Sequence, residues 1–212
     1  MTIITQRFSV DHQSRIEVHF QSETYRYMYD EMKKAGCKFF VKQPELRSRL
    51  RLEEIDFNSY DAKKAYMREV KAAELAALKA GDPVVWVGFG KHSGNWVEFL
   101  EKYVPRTDFD FWVTGFIVVK REIWNAWWNG KRPCTKATVM QYLQDWQPYI
   151  TADLNGELCD WRYVNGHDGE DFWDGPFLCE DEALEAALNL HPECRYKSSD
   201  FDEIVEYRLK VA

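Results

Sequence analysis

VVWVGFGKHSGNW, residues 84–96, is the stretch on which the fold turns. An apolar run ends in Gly88, Gly90 and Gly94, with Lys91 and Ser93 among them. A strand passing here into a helix that begins near Ser93 would aim backbone N–H groups and a positive dipole end at an anion. The pattern predicts a strand over 84–89 and a helix over 93–103. It departs, however, from the known phosphate loops. A Walker loop needs four residues between its first glycine and Gly-Lys-Ser/Thr; here one residue separates Gly88 from Gly90, and His92 follows Lys91. Against the dinucleotide fingerprint the spacing GxGxxxG is off by one, and Asp108, the acid about twenty residues on, precedes an apolar run. The glycines are therefore read chiefly as turning residues, with Gly88, Gly90, Lys91 and Ser93 kept as an alternative anion site.

Upstream, residues 3–10 and 15–21 read as two strands around a turn at 11–14. The second places Ile16, Val18 and Phe20 on one face and Glu17 and His19 on the other. Ser22 caps a helix over 25–35 that carries Tyr25, Met28, Tyr29 and Met32, and Gly36 stops it before a strand over 37–42. LRSRLRL, residues 46–52, alternates with period two and predicts another strand. Asn58 or Ser59 opens an alanine-rich helix ending at Gly81, and Asp82-Pro83 is the expected boundary. Downstream come a strand or hairpin over 109–119, a short helix over 121–128 closed by Asn129-Gly130, and a helix from Thr135 to about Trp146. Asn155-Gly156 is read as a hairpin turn between strands at 149–154 and 157–163. A helix over 180–190 and an alternating strand with Val205, Tyr207, Leu209 and Val211 close the chain. Strand pairs interrupted by helices predict an α+β fold with a mainly antiparallel sheet and several packed helices. The division is expected at 1–82, a β-β-α-β region plus the long helix, and 83–212, an aromatic-rich region with an acidic end, unless the two run on as one domain.

Nine Trp, eleven Tyr and thirteen Phe among 212 residues supply a core and exclude a disordered chain. Runs such as 111–119 are far below the roughly 18 residues of a membrane-spanning helix, and Arg7 and Asp11 interrupt any secretory apolar segment. The five cysteines are odd in number and lack a CxxC, so they read as reduced, mostly buried thiols of a cytoplasmic protein. No metal or cofactor is expected. NGHDGEDFWDG, residues 165–175, lacks the ligand spacing of an EF-hand, and Cys179, His191 and Cys194 fall short of a four-ligand zinc set.

Charge carries the functional expectation. The net charge of −7 divides unevenly: residues 151–212 hold 5 Lys/Arg against 16 Asp/Glu, while residues 1–82 and 83–150 are each slightly cationic. Such an end repels nucleic acid and attracts a basic partner. The leading reading is a non-enzymatic protein-interaction module, with no catalytic residues assigned. Its acidic surface comprises Asp168, Glu170, Asp171, Asp174, Glu180, Asp181 and Glu182, with Trp173 as anchor. Trp124, Trp127 and Trp128, at i, i+3 and i+4, would add an aromatic face. The partner expected is a basic protein or nucleoprotein surface, and direct nucleic-acid contact and membrane contact are not. Acidic, aromatic-rich small proteins of this composition resemble, as a class, phage-encoded inhibitors of host defence, which implies a protein that imitates nucleic-acid charge. Two alternatives compete with this. Arg47, Arg49 and Arg51, on one face of a strand over 46–52, would give a nucleic-acid binder together with the glycine-rich loop. His92, Asp108 and Asp110 beside the same loop would give an enzyme.

Overall fold

The computed structural model describes residues 2–20, 26–105 and 110–201. The Ser22 cap, Tyr25, Asp108, Phe109 and the strand expected at 205–211 lie outside them. The chain is an α+β protein with two four-stranded antiparallel sheets and, among the described residues, six α-helices. It divides into two compact units: residues 26–155 form one, and residues 1–25 with 156–212 form the other. Asp82-Pro83 therefore lies inside the first of these.

The terminal unit contains the sheet β1-β2-β7-β8, built from β1 (Thr2–Phe8), β2 (Arg15–Phe20), β7 (Cys159–Val164) and β8 (Asp171–Phe177). One face packs on α6 (Glu180–Leu190): Ile16, Val18, Cys159 and Trp161 of the sheet are fully buried against Ala183 and Ala187 of the helix. Small alanines at i and i+4 let the helix lie close to the sheet. The expected alternation of β2 holds, yet Glu17 and His19 on its other face are buried as well, 4% and 1% exposed.

The central unit contains the sheet β3-β6-β4-β5, from β3 (Cys37–Val41), β4 (Val84–Lys91), β5 (Asn95–Leu100) and β6 (Phe111–Val119). One face holds Phe40, Phe116 and Val118 against Ala77 of α3 (Tyr60–Ala80). α3 begins and ends as its sequence requires. Ser59 Oγ accepts from the Ala62 N–H at 3.4 Å, and Gly81 closes the helix at φ 69°, a conformation glycine adopts at little cost. α1 (Arg26–Lys34) buries Met28, Tyr29 and Met32 and packs on β3, while α4 (Arg121–Trp127) follows β6 directly.

Three expected elements are corrected. The helix predicted over 93–103 is the strand β5: residues 92–94 turn the chain back, so 84–100 is a hairpin. The strand predicted over 46–52 is α2 (Pro44–Arg49), because Pro44 fits the first helical turn and Leu46 and Leu50, four apart, both go into the core. The hairpin predicted at Asn155-Gly156 does not form. Instead α5 (Lys136–Asn155) runs through Pro148 and ends there, with Gly156 at φ 72°. Asn-Gly suits a left-handed helix end as well as a tight hairpin, and two residues cannot distinguish them.

α5 continues past its proline because one row of its side chains closes the edge of β5. The Asn95 N–H donates to Asn155 Oδ1 at 2.8 Å, Val97 N–H to Thr151 Oγ1 at 3.3 Å and Phe99 N–H to Gln147 Oε1 at 3.2 Å. Four helical residues rise about 6 Å and two strand residues about 6.8 Å, so three rungs stay in step. An edge strand that would otherwise offer free N–H groups is satisfied by side chains.

Candidate functional site

Of the sequence-derived sites, the glycine-rich segment is changed most. Gly88 and Gly90 stand mid-strand, where a Cβ would meet the Phe111 ring at 2.1 Å and the Trp96 ring at 1.9 Å respectively. Those two rings stack 12° from parallel. The glycines exist to seat aromatic side chains, and no helix follows to aim N–H groups at an anion. Lys91 faces Glu45 at 3.4 Å, and Ser93 lies in the exposed turn. Of the alternative acid–base group, His92 and Asp110 do meet, Nδ1 to Oδ2 at 3.0 Å, with both side chains exposed.

The arginine strand is likewise corrected, since a helical turn sends the three guanidinium groups to different places. Arg47 is buried: its Nη1 donates to Val41 O at 2.7 Å, its Nη2 donates to Glu53 O, and its plane lies over Phe57 and Tyr66. Arg49 pairs with the buried Asp153, Nε to Oδ2 at 3.4 Å. Arg51 follows the helix at φ 49° and is exposed. Arg47 and Arg49 hold α2 to the body of the unit, and the three present no common face.

The tryptophan face is mostly interior. Trp124 is fully buried and donates its indole N–H to Arg132 O at 2.8 Å. Trp128 is half-buried with its ring 5.8 Å from that of Trp124, and the Arg132 guanidinium covers both. Only Trp127, at 41% exposure, remains open among these three.

The seven acidic residues all fall in the terminal unit. Asp168 and Glu170 stand in the β7–β8 turn, Asp171 and Asp174 on β8, and Glu180, Asp181 and Glu182 in the first turn of α6, where the helix dipole favours them. One is neutralised locally, Asp171 by its pair with Arg162, while Glu180 keeps its charge and accepts from Thr5 Oγ1. Asp168 organises the turn, accepting from Asn165 Nδ2 at 2.7 Å and the Glu170 N–H at 2.9 Å, and Glu182 accepts from the Leu178 N–H at 3.2 Å. Asp168, Glu170, Asp174, Asp181 and Glu182 are exposed and have no ion pair among the described residues. The whole unit carries 7 Lys/Arg against 18 Asp/Glu, and the central unit 21 against 17. The charge division therefore follows the structural one.

The apolar partners of these carboxylates include residues that sequence reasoning missed. The sequence predicts no strand at β8, because its acids, glycine and proline hide the alternation. Phe172, 51% exposed, sits on the α6 side beside Trp161, and Leu190 at the end of α6 is 61% exposed. With Tyr163, stacked on His191 at 3.7 Å, they line a groove of 450 Å³ whose polar wall is Asn165, Glu170 and Asp171. Trp173 points to the other face, between His19 and the Arg162 guanidinium, and is 41% exposed.

Behind Trp173 lies the buried Glu17. Burial alone would raise its carboxyl, but the Arg15 guanidinium at 2.7 Å, with His19 Nε2 at 3.1 Å, outweighs this and holds it below the ordinary glutamate range. The cysteines are free; burial pushes the Cys37, Cys159 and Cys194 thiols up to about 12, which makes them poor nucleophiles at neutral pH. Among the described residues no three His, Cys, Asp or Glu side chains are grouped to hold a metal ion, and no helix is long and apolar enough to cross a membrane. No protein-family pattern matches the chain, and comparisons with curated proteins and with solved structures found no match.

Proposed function

We propose that the protein is a non-enzymatic interaction module whose terminal unit docks on a basic macromolecular surface, of the kind that nucleic-acid-binding complexes present. The observation that carries this reading is the 450 Å³ groove, in which exposed Phe172 and Leu190 adjoin Glu170 in a unit with an excess of eleven acids. Carboxylates without ion pairs attract a cationic surface at long range and break none when they meet it. The apolar residues then supply the burial that charge alone does not. A protein that works this way blocks a nucleic-acid groove by occupying it, in keeping with an inhibitor of such a complex in the cytoplasm.

The test is affinity capture with the full chain from its native cell lysate at low and high salt. Two variants run alongside: a charge reversal (Glu170→Lys, Asp174→Lys, Asp181→Lys) that spares the turn-forming Asp168, and an anchor removal (Phe172→Ala with Leu190→Ala). The captured partner should be basic, should elute as salt rises, and should be lost by both variants while their urea midpoints stay near that of the parent chain. Undiminished capture by the charge-reversed chain refutes the proposal.

A further inference from the structure

The central unit carries a second groove, of 630 Å³, between α3 and the sheet face formed by β3, β6 and β4. Its floor is apolar and aromatic, with Phe40, Phe116, Val70 and Trp86. Its rim is cationic. Lys64, Arg68 and Lys71 follow one edge of α3 at i, i+4 and i+7, and Lys42 leaves the end of β3 opposite them. Glu74 is the one acid lining it. All four cations are exposed, and none has an ion pair among the described residues. Elsewhere in the same unit cations do find carboxylates: Lys34 with Glu31, Arg49 with Asp153, Lys91 with Glu45 and Lys120 with Asp82. The groove thus collects unneutralised positive charge around a wall of rings.

We propose that this groove binds single-stranded nucleic acid, with phosphates along Lys64, Arg68 and Lys71 and a base against Tyr103 and Trp86. The three cations on α3 extend over about 10 Å, which suits a row of anions and exceeds what one carboxylate of a fatty acid would use. Tyr103 stands at the mouth, 57% exposed, with its ring 5.2 Å from that of the half-buried Trp86. An exposed aromatic ring beside a cationic track is what sequence-tolerant single-strand binding requires. The overall charge of −7 does not decide the matter, because at physiological salt charges farther than about 8 Å are largely screened and the local cations dominate. The inference is independent of the acidic-surface reading: it uses other residues, in the other unit.

The experiment is a fluorescence-anisotropy titration of the full chain with a short labelled oligothymidine at a series of salt concentrations. Binding should weaken as salt rises, and Lys64→Gln, Arg68→Gln and Lys71→Gln should each flatten the log K against log salt slope by about 0.7. Tyr103→Ala should weaken binding about tenfold, as should replacement of the probe by an abasic strand of equal length. Four exposed side chains are changed, so urea midpoints should not move. The charge-reversed acidic variant described above should bind the strand at least as well as the parent chain, which separates the two proposals. Failure to bind the strand at the lowest salt overturns the inference. So does equal affinity for the abasic probe, or tighter binding of a glutamate- and phenylalanine-rich peptide than of the oligothymidine.

Discussion

β5 and β8 are both edge strands of four-stranded antiparallel sheets, and they solve the edge problem in opposite ways. β5 is covered: Gln147, Thr151 and Asn155 of α5 take its outward N–H groups one by one. β8 pairs with β7 alone among the described residues, has five of its seven residues exposed, and carries Asp171, Asp174 and Pro176, all poor partners for a stray strand. The contrast teaches that one edge is an element of packing, whereas the other, under the proposed function, is a surface kept available yet selective. Charge rejects indiscriminate strand pairing while it admits a cationic partner. The comparison should therefore fail first at α5, where stability resides, and in binding alone at β8.

The largest expected effect tests that directly. Ile150 of α5 is 1% exposed, so Ile150→Ala should cost about 2–5 kcal/mol, read as a shift in the urea midpoint. As α5 loosens, the β5 edge should become available and the chain should self-associate, which light scattering detects. Phe172→Ala on β8 should cost about 1 kcal/mol or less. Equal losses from the two substitutions would break the contrast.

A smaller effect separates the rungs from the packing. Asn155 bonds the Asn95 N–H and also donates to Asn95 O at 2.9 Å, so Asn155→Leu should cost about 1–3 kcal/mol by leaving both backbone groups unmet. Thr151→Val, which removes one acceptor at nearly constant volume, should cost about 1 kcal/mol. Amide hydrogen exchange should quicken at Asn95 in the first variant and at Val97 in the second. If both variants exchange like the parent chain, the side-chain rungs do not protect the edge.

How much of this was legible in the sequence depends on whether the signal was local. α3 was readable from end to end because its start at Ser59, its alanine-rich body and its stop at Gly81 are each written within a few residues. The same holds for the antiparallel α+β class, for α6 and for the faces of β2. The stretch 84–96 misled because its glycines answer to Phe111 and Trp96, rings on neighbouring strands, and nothing in the local spacing tells such a glycine from a phosphate-binding one. Leu46 to Leu52 misled for a related reason: apolar residues at 46, 50 and 52 satisfy period two and, in part, period 3.6, and Pro44 decided between them. At the candidate surface the acids were legible by composition and Trp173 by its type. Phe172 and Leu190 were not, because the place of Phe172 follows from the pairing of β8 with β7 and that of Leu190 from where α6 ends, and the cationic row on α3 was hidden in a helix whose overall charge is mixed.

The smallest effect distinguishes the two edges by chemistry alone. The rungs on β5 are amides and a hydroxyl, with nothing to titrate. β8 is tied to its sheet by Arg162, which pairs with Asp171 on β8 and lies 4.0 Å from Glu17 on β2. Glu17 has its carboxyl held below the ordinary glutamate value, so the folded state holds a proton there more weakly than the unfolded one and is stabilised when Glu17 is ionised. That contribution is full above the unfolded pKa, and it is lost as pH falls from there through the lowered folded value. Urea midpoints taken from pH 6 downward should therefore fall more steeply for the parent chain than for Glu17→Gln, and added salt should shrink the difference because Arg15 is partly exposed. Asn155→Leu should leave the pH dependence unchanged while lowering the whole curve. Were Glu17→Gln to titrate as steeply as the parent chain, the ionic tie behind β8 would carry no stability, and its edge would rest on backbone pairing with β7 alone.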